Sequence, residues 1–537
     1  MRSNEEFDSL VENFFKWVME SDPIKATELG LHEYDDKMPQ ASKASKLAEI
    51  SATKQFLKMF LVFKREKLTF EKAIDRDAAI YWLNLKLFYD DTLKIWQRLP
   101  NVSNTVGRAI FYLLIREYAP IEQRLNSITS RLLAIPNYIN DSKNLFEDPV
   151  KLWVETEIAA VEKIPSILDA TIKIAKAESY HNLNFLYENI INVKKALSEY
   201  NYWLKHKALP KAHTNFSMGE KLFAQLLKYR LLNTTAQKLL KSAKKGLARE
   251  KKLLNKWAVK ISKEPVNKVI EKIKAKHPKD LSEVILSFEK SLNLTRQFVK
   301  KTDFCTIPRN EKIKVGTLPE FLKPIAPLGL YFRPAKFEKK QIGLLLITPL
   351  NGNVELLKEH NFAIIPNRAV HEGYPGHHLQ FACANTNPSL VRTLLEPTEF
   401  IEGWAHYCEE ELKNRGFDDT AEARLMLAVD AVWRTARVIV DVSLAVGSLS
   451  FDKAANFLIK QARMERESAI AEVVRYTQTP GYALSYYYGK QWIKKIKKKA
   501  KKVWGARYSD KLFHNTLLYS GNLPLKLMEK VINNSIA

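Results

Sequence analysis

Three histidines and a glutamate crowd into the string Ala369-Val370-His371-Glu372-Gly373-Tyr374-Pro375-Gly376-His377-His378-Leu379-Gln380. Imidazole nitrogen is a ligand for zinc and similar cations, and a carboxylate beside such a ligand can take a proton from water that the cation activates. The string is close to the HExxH pattern, in which histidines at i and i+4 share one helix face. Here position 375 is proline, and the next histidines stand at i+6 and i+7 from His371. On a straight helix His377 lies about 240° round the axis, while His378 faces the right way but sits about 10.5 Å along it. Neither can join His371 without a distortion. Pro-Gly is suited to supply one, because proline lacks the backbone donor and glycine tolerates unusual dihedrals. The spacing predicts a turn expanded by two residues, with either His377 or His378 as the second ligand.

A catalytic zinc takes three protein ligands and keeps one position open, and a carboxylate on a later helix is the gluzincin solution. Glu402, in Phe400-Ile401-Glu402-Gly403-Trp404-Ala405-His406-Tyr407, fills that role 25 residues after His377. Gly403 permits close backbone approach beside it. His406 and Glu409, at i+4 and i+7, fall on the same helix face and are placed to orient the ligands by hydrogen bonds.

The elements that must hold these residues are mostly helices. With 17 glycines in 537 residues, glycine is roughly 3% of the chain against a usual ~7%, a composition of long helices rather than barrels. Residues 1–305 read as successive amphipathic helices, a scaffold and cleft wall, with Asp22 as an N-cap and Pro23 at the first helical position of one of them. Faces such as Ile110, Leu113, Leu114 and Tyr118, or Leu183, Leu186, Ile190 and Val193, read as core. Near Thr306 the texture changes: Pro308, Pro319, Pro324, Pro327 and Pro334 exclude one regular helix, and 328–332 and 341–348 are strand candidates. Residues 306–537 then form the metal-binding region. Within it 401–413 is a helix with an apolar stripe at Ile401, Trp404, Ala405, Cys408 and Leu412 that stops at Gly416. The predicted class is mainly α, with a small β element before the metal-binding helix and a deep cleft.

The formal charge of +25 raises nucleic acid as a partner, but the pattern weighs against it. In the run 490–502, Trp492, Ile493, Ile496 and Ala500, followed by Val503 and Trp504, recur at helical spacing, leaving the lysines on a solvated face. The runs 238–252 and 268–279 read alike, without aromatic interleaving. No apolar run reaches the ~18 residues of a membrane span, so no membrane partner is expected. The acidic residues of MRSNEEFDSL do not suit a secretory signal, and Cys305, Cys383 and Cys408 form no CxxC pair. A cytoplasmic location follows as the expectation. Nothing here fixes oligomeric state, which leaves room for a homodimer.

The two strings together resemble the domain-of-unknown-function family 885, whose hallmarks are His-Glu-x-x-Pro-Gly-His-His-Leu-Gln and Glu-Gly-Trp-Ala-x-Tyr. The resemblance extends to 21–30 (SDPIKATELG) and to Phe513-His514 and 521–525 (GNLPL). That family is similar, distantly, to helical metallopeptidases of the thimet oligopeptidase and Taq carboxypeptidase type, with a zincin-like fold. Aligning the Gly-His pairs points to His377 as second ligand, with His378 supporting. The resemblance further implies substrate-handling groups in Arg475-Tyr476 and 480–489, where Tyr476 and Tyr486 are candidate oxyanion donors and Arg475, Tyr482 and Tyr487 candidate substrate contacts. Arg434 and Arg437 suit a peptide carboxylate, or else pair internally with Asp441 or Asp430. The sequence departs from the family at Asp441-Val442-Ser443-Leu444-Ala445, where Asp-Thr-Gly-Leu-His is expected, and at Tyr482 and Tyr487, where glutamine and lysine are expected.

These readings converge on a zinc peptidase of short peptides: His371, His377 and Glu402 hold one Zn2+, and Glu372 is the general base. Two alternatives use the same residues differently: a zinc amidase acting on a non-peptide amide, and a non-enzymatic basic helical binding protein.

Overall fold

The computed structural model describes residues 4–319, 328–350 and 353–535, so Pro324 and Pro327 lie outside the described residues. The chain is mainly helical and packs as two units. The first takes the chain up to Phe216 together with Ala335–Lys339; the second takes Ser217–Leu318, the short segment ending at Pro334, and the chain from Lys340 onward. Helices between 219 and 301 therefore pack with the metal-binding residues, and the change of texture near Thr306 marks the onset of strands.

In the first unit, Asp22 caps the helix Pro23–Leu29 by accepting from Lys25 N at 3.0 Å, and Gly30 ends it in the left-handed region. This is the expected pairing of a short polar cap, proline at the first position and glycine at the end. Ile110, Leu113, Leu186, Ile190 and Val193 are buried, as their spacing requires.

The second unit carries every residue of the candidate site. The elements of it that bear on the site are α1 (Ala236–Ile261), α2 (Leu281–Lys301), β1 (Glu311–Thr317), β2 (Gly329–Phe332), β3 (Gln341–Ile347), α3 (Ile365–Glu372), α4 (His377–Ala384), α5 (Thr398–Asn414), α6 (Ala421–Ala445), α7 (Arg466–Gln478) and α8 (Leu484–Trp504). The sheet order is β1-β3-β2, with β1 parallel and β2 antiparallel to β3. Two of these strands match the sequence expectation. β1 does not, and its alternation of Lys312, Ile313, Lys314 and Val315 is the signal that the crowding of prolines hid.

Helix α5 buries Trp404, Ala405, Cys408 and Leu412, and Gly416 follows at φ +90°. It packs against α8 with backbone against backbone at two glycines. A Cβ on Gly403 would sit 2.5 Å from Gly489 Cα, and one on Gly489 would sit 1.9 Å from Glu399 O. The lysine run of α8 is less solvated than its pattern suggested: Lys490 is buried against Glu410 Oε2 at 2.8 Å, and Lys497 pairs with Glu411 at 2.7 Å. Val503, expected among the apolar residues, is 51% exposed. Among the described residues no helix is long and apolar enough to cross a membrane. The three cysteines are buried and free.

Candidate metal centre

The expanded turn expected within one helix is instead a break between two. Helix α3 ends at Glu372 and α4 begins at His377. Between them Gly373 N donates to Ala369 O at 2.9 Å and Gly376 N to Val370 O at 3.0 Å, while the Tyr374–Pro375 peptide is cis. Both glycines are steric requirements. A Cβ on Gly376 would lie 1.9 Å from His371 O, and one on Gly373 would lie 2.1 Å from Leu292 Cδ2 of α2. From α5 the indole of Trp404 donates Nε1–H to Pro375 O at 2.8 Å, which fastens the turn to the helix that bears Glu402.

The break brings His371, His377 and Glu402 together: one ligand atom from each lies within 4.8 Å of the other two, and all three residues are buried. Glu402 Oε2 stands 3.4 Å from His377 Nε2 and 3.8 Å from His371 Nε2. Despite its burial that oxygen makes no hydrogen bond. Buried carboxylate oxygens are almost always satisfied, and a cation between this orphan and the two imidazole nitrogens would satisfy it. Two nitrogens and one oxygen form the donor set of a catalytic zinc with an open position, and the residues fit that metal.

The geometry also decides between the adjacent histidines. His378 turns away, with Nε2 2.8 Å from Glu311 Oε2 and Nδ1 3.1 Å from the Tyr331 hydroxyl. His378 and the Glu311 side chain are fully buried, and Glu311 also accepts from the Tyr374 hydroxyl and from Arg296 Nη2 at 2.8 Å. All three strands house His378: Glu311 begins β1, Tyr331 lies on β2, and Gly343 of β3 leaves the room, since a Cβ there would come 2.5 Å from His378 Nδ1. Burial opposes ionisation of Glu311, but its hydrogen bonds to His378 and Tyr374 hold its carboxyl below the usual range.

Behind His371, Glu409 Oε1 lies 2.6 Å from Nδ1 and fixes the ring so that Nε2 faces Glu402. Its other oxygen accepts from Arg434 Nη1 at 2.5 Å and lies 3.2 Å from His406 Nδ1. Burial opposes charge on Glu409, yet the Arg434 guanidinium and the two histidines hold it well below the carboxylate range. Burial brings His406 down to about 3, so that ring is neutral. Arg434 is thus an internal partner of Glu409; of the two acids the sequence suggested, Asp430 adds a second favourable charge without a hydrogen bond, and Asp441 does not pair with it. Asp441 accepts instead from the backbone of Gly481 and Leu484 at 2.7 and 3.0 Å.

Tyr482, expected to touch substrate, donates to Glu402 Oε1 at 2.6 Å and so orients the carboxylate of the cluster. Burial first and the Glu402 charge second push its phenol well above the ordinary value, and it remains a donor. Tyr486 packs edge-on against Tyr482 with ring centres 6.1 Å apart, its phenol pushed up to about 12 by burial and by Glu402. Tyr476 does not face the cluster: its hydroxyl accepts from Arg437 Nε at 3.0 Å and donates to Glu472. Arg437 is itself enclosed, 2% exposed, with the rings of Trp433 and Tyr486 each 4.3 Å from its Cζ. Tyr487 points to α1, where its hydroxyl reaches Ser242 O at 3.4 Å. Glu372 is half-buried, and its charge acts on both His377 and Tyr331. On His377 burial opposes protonation, but Glu402 and then Glu372 overcome it and the imidazole is raised.

Sequence reasoning missed Glu311, Tyr331, Arg296 and the anchoring role of Trp404. Only Trp404 carried a local signal, an indole inside the Glu-Gly-Trp string.

The family described as "Bacterial protein of unknown function (DUF885)" matches residues 23–532. No curated protein matches the chain. Among solved structures, "a putative lipoprotein of unknown function" from Shewanella oneidensis is similar with a TM-score of 0.79 and 23% identity, over 98% of this chain and 99% of that one. "The putative lipoprotein" from Colwellia psychrerythraea is similar with a TM-score of 0.78 and 16% identity, each chain covered 100%. Their description overturns the cytoplasmic location expected above. The expectation rested on composition and on the first residues, and a covalent lipid anchor, which the word lipoprotein denotes for those proteins, leaves no mark on the composition of a folded body.

Proposed function

We propose, from the premise that this chain belongs to the DUF885 family, that it is a zinc-dependent peptidase that hydrolyses short peptides by the logic of the gluzincins. The observation that carries the proposal is the convergence of His371, His377 and Glu402 on a buried, unsatisfied carboxylate oxygen, with Glu372 directly after the first ligand. Zinc bound there would supply Lewis acidity toward a carbonyl and lower the pKa of a coordinated water. The protein's own groups supply the rest. Glu372 takes a proton from the attacking water and returns it to the leaving amine, as a half-buried carboxylate beside the ligands can. Tyr486, held protonated next to Tyr482, donates to the oxyanion that develops on the carbonyl. Glu409 and Tyr482 keep His371 and Glu402 in position, and the sheet keeps His378 out of the way.

Two measurements test this reading. Protein purified without added metal should hold about one zinc per chain by elemental analysis, as three protein ligands and one open position require. Glu372→Gln should keep that zinc and lose at least about 100-fold in peptide hydrolysis, the usual share of a general base. A variant with full activity, or a parent that never takes up zinc on titration, would overturn the proposal.

A further inference from the structure

Five side chains offered themselves as substrate contacts, and four are engaged elsewhere: Arg434 by Glu409, Arg437 by its rings and Glu472, Tyr482 by Glu402, and Tyr487 by Ser242. Arg475 is different. Its side chain is 42% exposed, its Nη2 reaches both oxygens of Glu472 at 2.8 Å, and its Nε has no partner. Glu472 is also the carboxylate that Arg437 Nη2 contacts at 3.0 Å. One acid is shared by two guanidiniums, and its carboxyl is held below the usual range, so one positive charge stays uncompensated.

That charge stands beside the ligand cluster. The Cζ of Arg475 lies 5.7 Å from the centre of the Tyr482 ring, and the hydroxyl of that ring is 2.6 Å from Glu402 Oε1. End to end these contacts span at most about 11 Å, and a substrate group between the guanidinium and the cluster crosses only part of it, which one or two residues of extended chain at ~3.3–3.6 Å each do. A partly exposed guanidinium at this range recognises carboxylate, to which its geometry is matched.

Resting on the peptidase reading, we infer that Arg475 receives a carboxylate of the substrate one or two residues beyond the scissile bond, and that the C-terminal carboxylate of a short peptide is its source. Cleavage then releases a single residue or a dipeptide from the C-terminal end. The other source of the same chemistry is an Asp or Glu side chain at that position.

The experiment uses the zinc-loaded full chain and three matched peptides: a free acid, its C-terminal amide, and an amide ending in Asp. The free acid should be cut about 10- to 100-fold faster in kcat/KM than the plain amide, the worth of one hydrogen bond to a charged group. Arg475→Met should erase that discrimination through KM, and Arg475→Lys should restore part of it. Cleavage of the Asp amide at the rate of the free acid would assign the subsite to side-chain carboxylates and overturn the C-terminal inference. Equal cleavage of acid and amide by the parent, or discrimination that survives Arg475→Met, would overturn the subsite altogether. Calorimetric binding of the same peptides to zinc-loaded Glu372→Gln separates the two layers. Tighter binding of the free acid, lost with Arg475→Met, would uphold the subsite even where no peptide is cut, and that failure would fall on the peptidase reading alone.

Discussion

Replacing Glu409 by glutamine changes charge without changing shape, and the surroundings of that side chain set the size of the response. Its two oxygens face donors on both sides, His371 Nδ1 at 2.6 Å and Arg434 Nη1 at 2.5 Å. A glutamine has one acceptor oxygen, so in either orientation its NH2 group confronts a donor. The Arg434 guanidinium, buried and paired with this acid, then keeps only Asp430 as a nearby negative charge, and burial raises the Asp430 carboxyl and weakens that compensation. Removing one partner of a buried ion pair costs about 3–5 kcal/mol, and losing the group that orients a ligating histidine costs about 10- to 100-fold in metal affinity. Competition with a chromophoric chelator reads the affinity, and the urea transition of metal-free protein reads the stability. Glu409→Gln should show both losses. Adding Arg434→Met should recover much of the stability, because the stranded charge is gone, and none of the zinc affinity. Zinc affinity within about twofold of the parent, less than the smallest effect expected of such a partner, would refute the assignment of Glu409 as the group that sets His371.

Two further substitutions probe the same centre. Tyr482→Phe deletes the hydroxyl that donates to Glu402 Oε1 and should weaken zinc binding by about tenfold with a small change in unfolding midpoint; an unchanged chelator titration would remove Tyr482 from the centre. Gly376→Ala places a methyl group 1.9 Å from His371 O and should abolish zinc uptake while far-ultraviolet circular dichroism keeps its helical signal; normal zinc content would show that the turn has slack the structure does not display.

The cluster of His371, His377 and Glu402 was legible in the sequence because residues able to hold a metal declare themselves by type. His371, Glu372 and Glu402 are read from strings whose residues have few other reasons to sit together, and Asp22, Pro23 and Gly416 marked helix ends through backbone preferences that act locally. What stayed hidden depends on contacts between residues far apart in the chain. Arg434 meets Glu409 across 25 positions and His378 meets Glu311 across 67, and no local pattern announces either. The tyrosines of 482–488 could not be sorted by eye, since neighbours on a helix point about 100° apart. Tyr486 and Tyr487 accordingly serve opposite sides, one stacking on the Arg437 guanidinium and the other on α1. β1 was lost because the prolines that crowd the stretch after Thr306 drew the reading away from its alternation.

In an unbroken HExxH helix the bite between two imidazoles is set by the helical repeat alone. Here the distance between His371 and His377 is written by Trp404, Leu292 and Glu311, which arrive from three other stretches of chain. A cation that binds there would therefore meet no half-made nest during early folding: the place would come into being only when the surrounding architecture closes, which would make metal uptake a report on the completed second unit rather than on any one of its pieces.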